Sequence, residues 1–167
     1  ERSRYWNPSL MRDGKLLKTA EKDYGPDILT DYLIEFIGKN KTKPFFAYYP
    51  MLLVHSPFPK TPDSKNDRGK SLDNFRDMTL YADKCVGRIV DALEKNGLRE
   101  KTVIIYTTDN GPHYNQWPDS AITPYRGEKN TNWEGGFRVP SMVRWPSSIK
   151  AGQINNSVMS HLDWVPT

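Results

Sequence analysis

The apolar residues of this chain recur at two spacings, one typical of helices and the other of buried strands. The helical spacing predicts a first helix that starts at Pro26 and ends near Gly38. It predicts a second helix that begins at Ser71 and ends at Asn96 and Gly97. The apolar face of the first helix comprises Ile28, Leu29, Tyr32, Leu33, Phe36 and Ile37. That of the second comprises Phe75, Met78, Ala82, Cys85, Val86, Ile89 and Leu93.

Short apolar runs between and after these helices predict strands. Residues 45–49 are aromatic and apolar, which is typical of a strand covered on both faces. Residues 102–107 predict a second, fully buried strand, and residues 139–146 a third that is bounded by prolines and lies near a sheet edge. Asp13 and Gly14 predict a tight turn. Helices and strands therefore alternate, as in an α/β domain.

The order strand, helix, strand has a consequence for the loops. A crossover between parallel strands is nearly always right-handed and places both carboxyl ends at one edge of the sheet. The proline-rich loop after residues 45–49 contains His55, and the loop after residues 102–107 contains Asp109. We therefore expect these two loops to share one pocket.

Composition narrows the class of protein. With 167 residues, 37% hydrophobic and 26% charged, the chain is long enough for one domain with a core. A net charge of +4 without a block of basic residues gives no support to nucleic-acid binding. The longest apolar stretch, residues 45–54, is far shorter than the roughly 20 residues of a membrane span, so none is expected. The single cysteine, Cys85, lies on a helical apolar face, which favours a buried residue over a nucleophile.

Asp109 and Asn110 directly follow the predicted strand at residues 102–107. Ligands gather at the carboxyl ends of strands in open α/β sheets, and carboxylate and carboxamide oxygens suit Ca²⁺ or Mg²⁺. Asp-Asn-Gly is also a strong turn sequence, so these residues alone leave a turn and a metal site both open. Taken singly, His55 and Lys129 do not indicate a function either. Their expected convergence with Asp109 favours a metal-dependent site for an anionic ester.

Five segments, in their order along the chain, resemble the signatures of the sulfatase family, close to its arylsulfatase members. They are residues 45–49, 55–57, 108–111, 126–140 and 162–167. The resemblance covers nearly all of the chain from about Pro26 onward. It implies an α/β fold of the alkaline-phosphatase-like superfamily, with a mixed central sheet flanked by helices. Residues 1–167 would then be a fragment of a single catalytic domain, with the nucleophile region and the C-terminal subdomain outside it.

The resemblance also implies roles for individual residues. Asp109 and Asn110 match the family's Ca²⁺ ligands, with Mg²⁺ as the alternative ion. His55 and Lys129 match the residues that contact the sulfate group and the leaving-group oxygen, and are the candidate catalytic and substrate-binding residues. Arg126 is a further candidate for substrate binding.

The nucleophile of the family is a formylglycine formed from Cys or Ser in a Cys/Ser-x-Pro-x-Arg motif. No such motif occurs here, since Cys85 is followed by Val86, Gly87 and Arg88. We therefore expect formylglycine upstream of residue 1, and residues 1–167 alone to be inactive.

Several alternatives stay open. Zn²⁺-dependent phosphatase relatives tend to have His where Asn110 stands, because borderline metals favour imidazole, so Asn110 favours a sulfatase. The alternatives are a phosphoester or phosphonate hydrolase of the same superfamily and a non-catalytic anion-binding relative.

Two roles stay open for Arg126, which are binding of substrate and an ion pair with Glu128 or Glu134. The expected partner is a small-molecule or carbohydrate sulfate ester, and family habit favours a periplasmic, secreted or lysosomal location.

Overall fold

The computed structural model of the protein describes residues 3–65, 71–117 and 123–166. Its helices are α1 (Gly25–Asn40), α2 (Ser71–Lys95) and the single-turn α3 (Glu134–Phe137). Its strands are β1 (Met11–Arg12), β2 (Lys15–Leu16), β3 (Ile104–Thr107) and β4 (Ser141–Arg144), paired antiparallel as β1–β2 and β3–β4. Short 3₁₀ helices occur at Arg99–Lys101, Tyr114–Gln116 and His161–Asp163. Within these ranges, no helix combines the length and the apolar character that crossing a bilayer requires.

The two long helices pack against each other and confirm both predicted helices. Pro26 lies in the first turn of α1, where its missing N–H leaves no hydrogen bond unmade. Gly97, just beyond α2, has a φ of 69°, the left-handed conformation that glycine adopts easily at a helix end. Between the helices, Asp27 accepts from Arg88 at 3.0 Å and from the Tyr81 hydroxyl at 2.7 Å. Polar contacts therefore fix the position of one helix on the other.

A two-stranded hairpin precedes α1. Its central residues, Asp13 and Gly14, have φ values of 51° and 76°, which confirms the predicted turn. Arg12 binds Glu35 of α1 at 2.9 Å. The hairpin is therefore attached to the outer surface of the helix pair.

The core lies between α2 and two segments without regular structure, one at Tyr5 and one at Leu53. Its buried side chains are Tyr5, Tyr24, Leu53, Met78, Tyr81, Ala82 and Cys85. The α2 members include three of the residues predicted for its apolar face, whereas Tyr5 precedes the first periodic segment and was not predicted. Burial raises the pKa of the Cys85 thiol, which is consistent with a packing residue and not a nucleophile.

Residues 45–49 do not form the predicted strand. Their backbone pairs with no described strand, and only one face of the segment is covered. Phe45 packs edge-on against an aromatic ring of α1, and the Tyr49 hydroxyl lies 3.1 Å from a threonine hydroxyl of the same helix. On the other face, Phe46 and Tyr48 are 84% and 81% exposed. The prediction is wrong here because a strand needs a hydrogen-bonding neighbour, and the described residues supply none.

The other two predicted strands form as β3 and β4 and pair with each other, so that Thr107 faces Ser141. The prediction that the first of them is fully buried is wrong, because Ile105 and Tyr106 are 42% and 37% exposed. Neither α1 nor α2 contacts this sheet in the described structure. Without a strand at residues 45–49, the predicted parallel crossover is also absent from the described part of the chain.

We expect the substitution Met78→Ala to destabilise the protein strongly. Met78 is fully buried in the core, so truncation leaves a cavity and should lower the free energy of unfolding by about 2–5 kcal/mol. Leu80→Ala, on the same helix at a position that is 60% exposed, is the control and should cost much less. Urea unfolding curves would measure both, and equal effects would contradict the assigned core.

Candidate active site

The end of β3 lies beside the start of β4, and this arrangement brings together two loops that contain candidate site residues. We call residues 108–112 the Asp109 loop and residues 125–140 the Lys129 loop. Because the strands are antiparallel, the loop that follows Thr107 and the loop that precedes Ser141 lie at the same end of the sheet. Thr107 Oγ1 donates to Pro140 O at 3.1 Å and links the loops at the sheet edge.

Glycines allow the backbones of the two loops to touch. Gly111 N donates to Gly136 O at 2.8 Å, and Lys129 N donates to Pro112 O at 2.9 Å. A Cβ at position 111 would lie 1.9 Å from Gly135 O, in the other loop. Within the Lys129 loop, a Cβ at position 135 would lie 2.2 Å from Gly127 O. No larger residue fits either place without moving backbone. The structure therefore brings the Asp109 loop and Lys129 together through main-chain contacts.

Asp109 and Asn110 each leave one side-chain oxygen without a partner among the described residues. Asp109 Oδ1 accepts from Asn110 N at 3.0 Å and from Thr108 Oγ1 at 3.3 Å, while Oδ2 is left over. Asn110 Nδ2 donates to Gly111 O at 2.8 Å. Because a carbonyl oxygen can only accept, the amide nitrogen faces Gly111 and Asn110 Oδ1 is left over. The loop thus offers two oxygen donors.

Lys129 lies in a tight turn closed by hydrogen bonds between its neighbours. Glu128 O accepts from Thr131 N at 3.0 Å and from Thr131 Oγ1 at 2.6 Å. Asn130 has a φ of 72°, as the third residue of a type II turn requires. Glu128 is engaged elsewhere, since its Oε2 accepts from Tyr114 N at 2.5 Å. The half-buried Lys129 has no ion-pair or hydrogen-bond partner for its ammonium within the described ranges.

Arg126 pairs with neither of the two acids proposed for it. Its guanidinium carbon lies 3.8 Å from the centroid of the Trp133 ring, in a cation–π contact. Glu128 bonds a backbone N–H, and Glu134 binds Arg138 at 2.7 Å. The hydrogen bond with Glu134 raises the pKa of the Arg138 guanidinium. The ion-pair alternative for Arg126 is therefore wrong, and its role in substrate binding stays a prediction.

His55 is exposed, and no described hydrogen bond, ion pair or ring contact joins it to Asp109 or Lys129. The Tyr5 hydroxyl bonds to His55 O, which attaches the segment to the core. His55 Nδ1 lies 2.7 Å from Ser56 O, and since this carbonyl can only accept, Nδ1 is the donor. Nε2 is the ring nitrogen left over. The convergence of His55 with the two loops stays a prediction.

His161 was not among the predicted site residues, yet it contacts the Asp109 loop. Its Nε2 lies 3.1 Å from Thr108 O, a contact between residues 53 positions apart in the chain. No motif or periodicity connects two such distant positions. Sequence reasoning from this chain alone therefore had no signal for the contact.

Asp109 Oδ2 and Asn110 Oδ1 are the kind of ligand atom that a hard cation prefers. Two oxygens are, however, fewer than such an ion needs. Ca²⁺ takes about 6–8 oxygen ligands, and Mg²⁺ about six. Among the residues that the structure describes, no group of three or more His, Cys, Asp or Glu side chains is placed to hold a metal ion. Asp109 and Asn110 are therefore suited to form part of a coordination shell.

Comparison with a solved structure confirms the predicted partial α/β fold. The crystal structure of Ps i-CgsB in complex with k-i-k-neocarrahexaose superposes with a TM-score of 0.74 at 31% identity. The match covers 86% of this chain and 32% of that one. The described helices and small sheets thus correspond to about a third of that structure.

Sequence comparison gives the family. The sulfatase family model matches residues 2–167. Human arylsulfatase H is 33% identical over 175 aligned residues, which cover 99% of this chain and 30% of that protein. The N-acetylgalactosamine-6-O-sulfatase of Bacteroides thetaiotaomicron is 32% identical, over 92% of this chain and 31% of that protein. This chain belongs to the sulfatase family and spans about a third of the length of these relatives.

The glycine contact predicts an unusual cost for a small substitution. Gly111→Ala places a methyl group against the backbone of Gly135, which must move, and we expect a loss of about 1–3 kcal/mol in the free energy of unfolding. Gly87→Ala, in an exposed turn of α2 with open space around it, is the matched control and should stabilise by about 0.5–1 kcal/mol. Chemical denaturation would measure both. A neutral Gly111→Ala would contradict the contact.

Proposed function

We propose that the protein is a Ca²⁺-dependent sulfuric ester hydrolase of the arylsulfatase type. One observation supports this most directly: backbone contacts hold the two free oxygens of the Asp109 loop beside the loop of the unpaired Lys129. A bound cation together with a fixed ammonium suits a sulfate group, whose oxygens share negative charge. The sulfatase relatives support the same reaction class.

Asp109 Oδ2 and Asn110 Oδ1 would hold the calcium ion, with Mg²⁺ as the alternative. When bound, the ion neutralises negative charge on the sulfate oxygens. Carboxylate and carboxamide oxygens favour hard cations, whereas Zn²⁺ favours nitrogen and sulfur donors. The remaining ligands would come from outside the described residues.

Lys129 and His55 would act on the leaving-group oxygen. Cleavage of the S–O bond places negative charge on that oxygen, and the ammonium of Lys129 stabilises it. Because Nδ1–H bonds Ser56 O, Nε2 of His55 is the ring nitrogen that would carry the transferable proton in the imidazolium form. Arg126, oriented by its contact with Trp133, would add a second positive charge for substrate binding.

The nucleophile in this proposal is a formylglycine that lies outside residues 1–167. The chain contains no Cys/Ser-x-Pro-x-Arg motif, and Cys85 is buried in the core. Residues 1–167 would then be part of one catalytic domain and inactive alone.

A sulfated carbohydrate is one candidate substrate class. One relative is named for a sulfated amino sugar, and one similar structure was solved with an oligosaccharide. A small aryl sulfate is the other candidate, since another relative is an arylsulfatase. A periplasmic, secreted or lysosomal location would suit either.

Hydrolysis of nitrophenyl sulfate and nitrophenyl phosphate by the protein, at the length its gene encodes, tests the reaction. We expect the sulfate to be preferred and Lys129→Ala to lower the rate by roughly 10²–10³-fold, the usual effect of removing one group that stabilises an oxyanion. Lys150→Ala, which removes an exposed lysine, is the control and should leave the rate unchanged.

Other outcomes would favour the alternatives. Preference for phosphate would indicate a phosphoester hydrolase of the same superfamily. Failure to cleave either ester, in folded protein with Ca²⁺ bound, would indicate a non-catalytic anion-binding relative.

Removal of the proposed metal ligand provides an independent test. Asp109→Asn keeps the size of the side chain and removes its charge, so we expect the Kd for Ca²⁺ to rise about tenfold or more, since affinity follows ligand charge. Asp91→Asn, an exposed carboxylate on α2, is the matched control. Isothermal titration calorimetry with CaCl₂ would measure both. An unchanged Kd in Asp109→Asn would refute the assigned ligand.

A further inference from the structure

The 3₁₀ helix His161–Asp163 is held in place by a complete capping box. Ser160 Oγ accepts from Leu162 N at 3.2 Å, and Asp163 Oδ2 accepts from Ser160 N at 2.8 Å. These reciprocal bonds fix the first turn of the helix. The backbone at His161 is therefore held in one conformation, even though the segment is exposed.

Two hydrogen bonds define the tautomer of the His161 ring. The indole Nε1 of Trp164 lies 3.3 Å from His161 Nδ1, and an indole N–H can only donate, so Nδ1 accepts. Nε2 lies 3.1 Å from Thr108 O, and a carbonyl can only accept, so Nε2 donates. These contacts assign the hydrogen to Nε2, and both ring nitrogens are used.

The acceptor of this bond is the carbonyl of the peptide unit that joins Thr108 to Asp109. A hydrogen bond to that carbonyl restricts the rotation of the peptide plane. It therefore also restricts the direction in which the Asp109 side chain extends from the backbone. The Thr108 hydroxyl also bonds Asp109 Oδ1, at 3.3 Å. The contacts of Thr108 therefore leave Asp109 Oδ2 as the free oxygen.

We propose that His161 is a positioning residue that orients the Asp109 loop for metal binding. This inference rests on the proposed function, since it assumes that Asp109 is a ligand. Hydrogen bonds that orient metal ligands affect affinity strongly, and their loss commonly weakens metal binding by about 10–100-fold. The bond to Thr108 O joins the 3₁₀ helix His161–Asp163 to the loop that contains the proposed metal ligands.

Calcium binding by three variants tests this role in the protein at the length its gene encodes. His161→Phe keeps a ring but removes both hydrogen bonds, and we expect the Kd for Ca²⁺, measured by calorimetry, to rise about tenfold. His161→Gln keeps an amide N–H that can reach Thr108 O, and should recover much of the affinity. Leu162→Ala, on the same 3₁₀ helix with a side chain that is 84% exposed, is the control and should bind as the unsubstituted protein does.

A second readout separates positioning from general damage. If His161 acts through the metal, the hydrolysis rate of His161→Phe should return to nearly that of the unsubstituted protein at saturating Ca²⁺. If His161→Phe does not fold, Trp164→Phe, which removes the indole N–H and keeps an aromatic ring, should show a smaller rise in Kd.

The outcomes separate this inference from the proposed function. An unchanged Kd in His161→Phe, or in Trp164→Phe where that variant replaces it, would overturn the positioning role alone. Failure of the unsubstituted protein to bind Ca²⁺ would overturn the proposed metal site and the positioning role together.

Discussion

The contact between Gly111 and the Gly135–Gly136 backbone is the constraint on which the candidate site depends. It joins a loop that presents oxygen donors to a loop that presents an ammonium, and it does so with a 2.8 Å hydrogen bond between main-chain atoms. Main-chain contacts have little rotational freedom, so they set the distance between loops more firmly than long side chains do. The carboxylate of Asp109 and the turn of Lys129 are thereby placed relative to each other before any ligand binds.

The helix pair has a different function in the architecture. Helix α2 packs against Tyr5 and Leu53 to form the core, and the bond from Tyr5 holds the segment that contains His55. The β3–β4 sheet holds the other candidate residues, and neither long helix contacts it in the described structure. The proposed site therefore draws on two packing units, one anchored by apolar burial and the other by backbone hydrogen bonds.

The accuracy of each prediction from sequence follows from the range of the interaction involved. Helix α2 and its buried face were predictable because the repeat is local and Cys85 and Met78 fall on it. The absence of the strand predicted at residues 45–49 was not predictable, because a strand depends on a hydrogen-bonding neighbour that its own sequence does not specify. Asp109 and Lys129 were singled out by motif, but the contact of His161 with Thr108 is long-range and leaves no local pattern. Sequence therefore singles out candidate residues, but it does not reveal long-range contacts such as that of His161 with Thr108.

Asn110 connects the backbone constraint to the proposed choice of metal. Its Nδ2 donates to the carbonyl of Gly111, the residue whose N–H bonds the Lys129 loop. The same amide that supports the turn through its nitrogen therefore keeps its oxygen out of that contact, as the proposed role of a metal ligand requires. An imidazole at this position would offer a nitrogen donor instead, which suits a borderline metal. The preference for an oxygen-seeking ion would then follow from the hydrogen bonding of the turn, and not from the ligand atom alone.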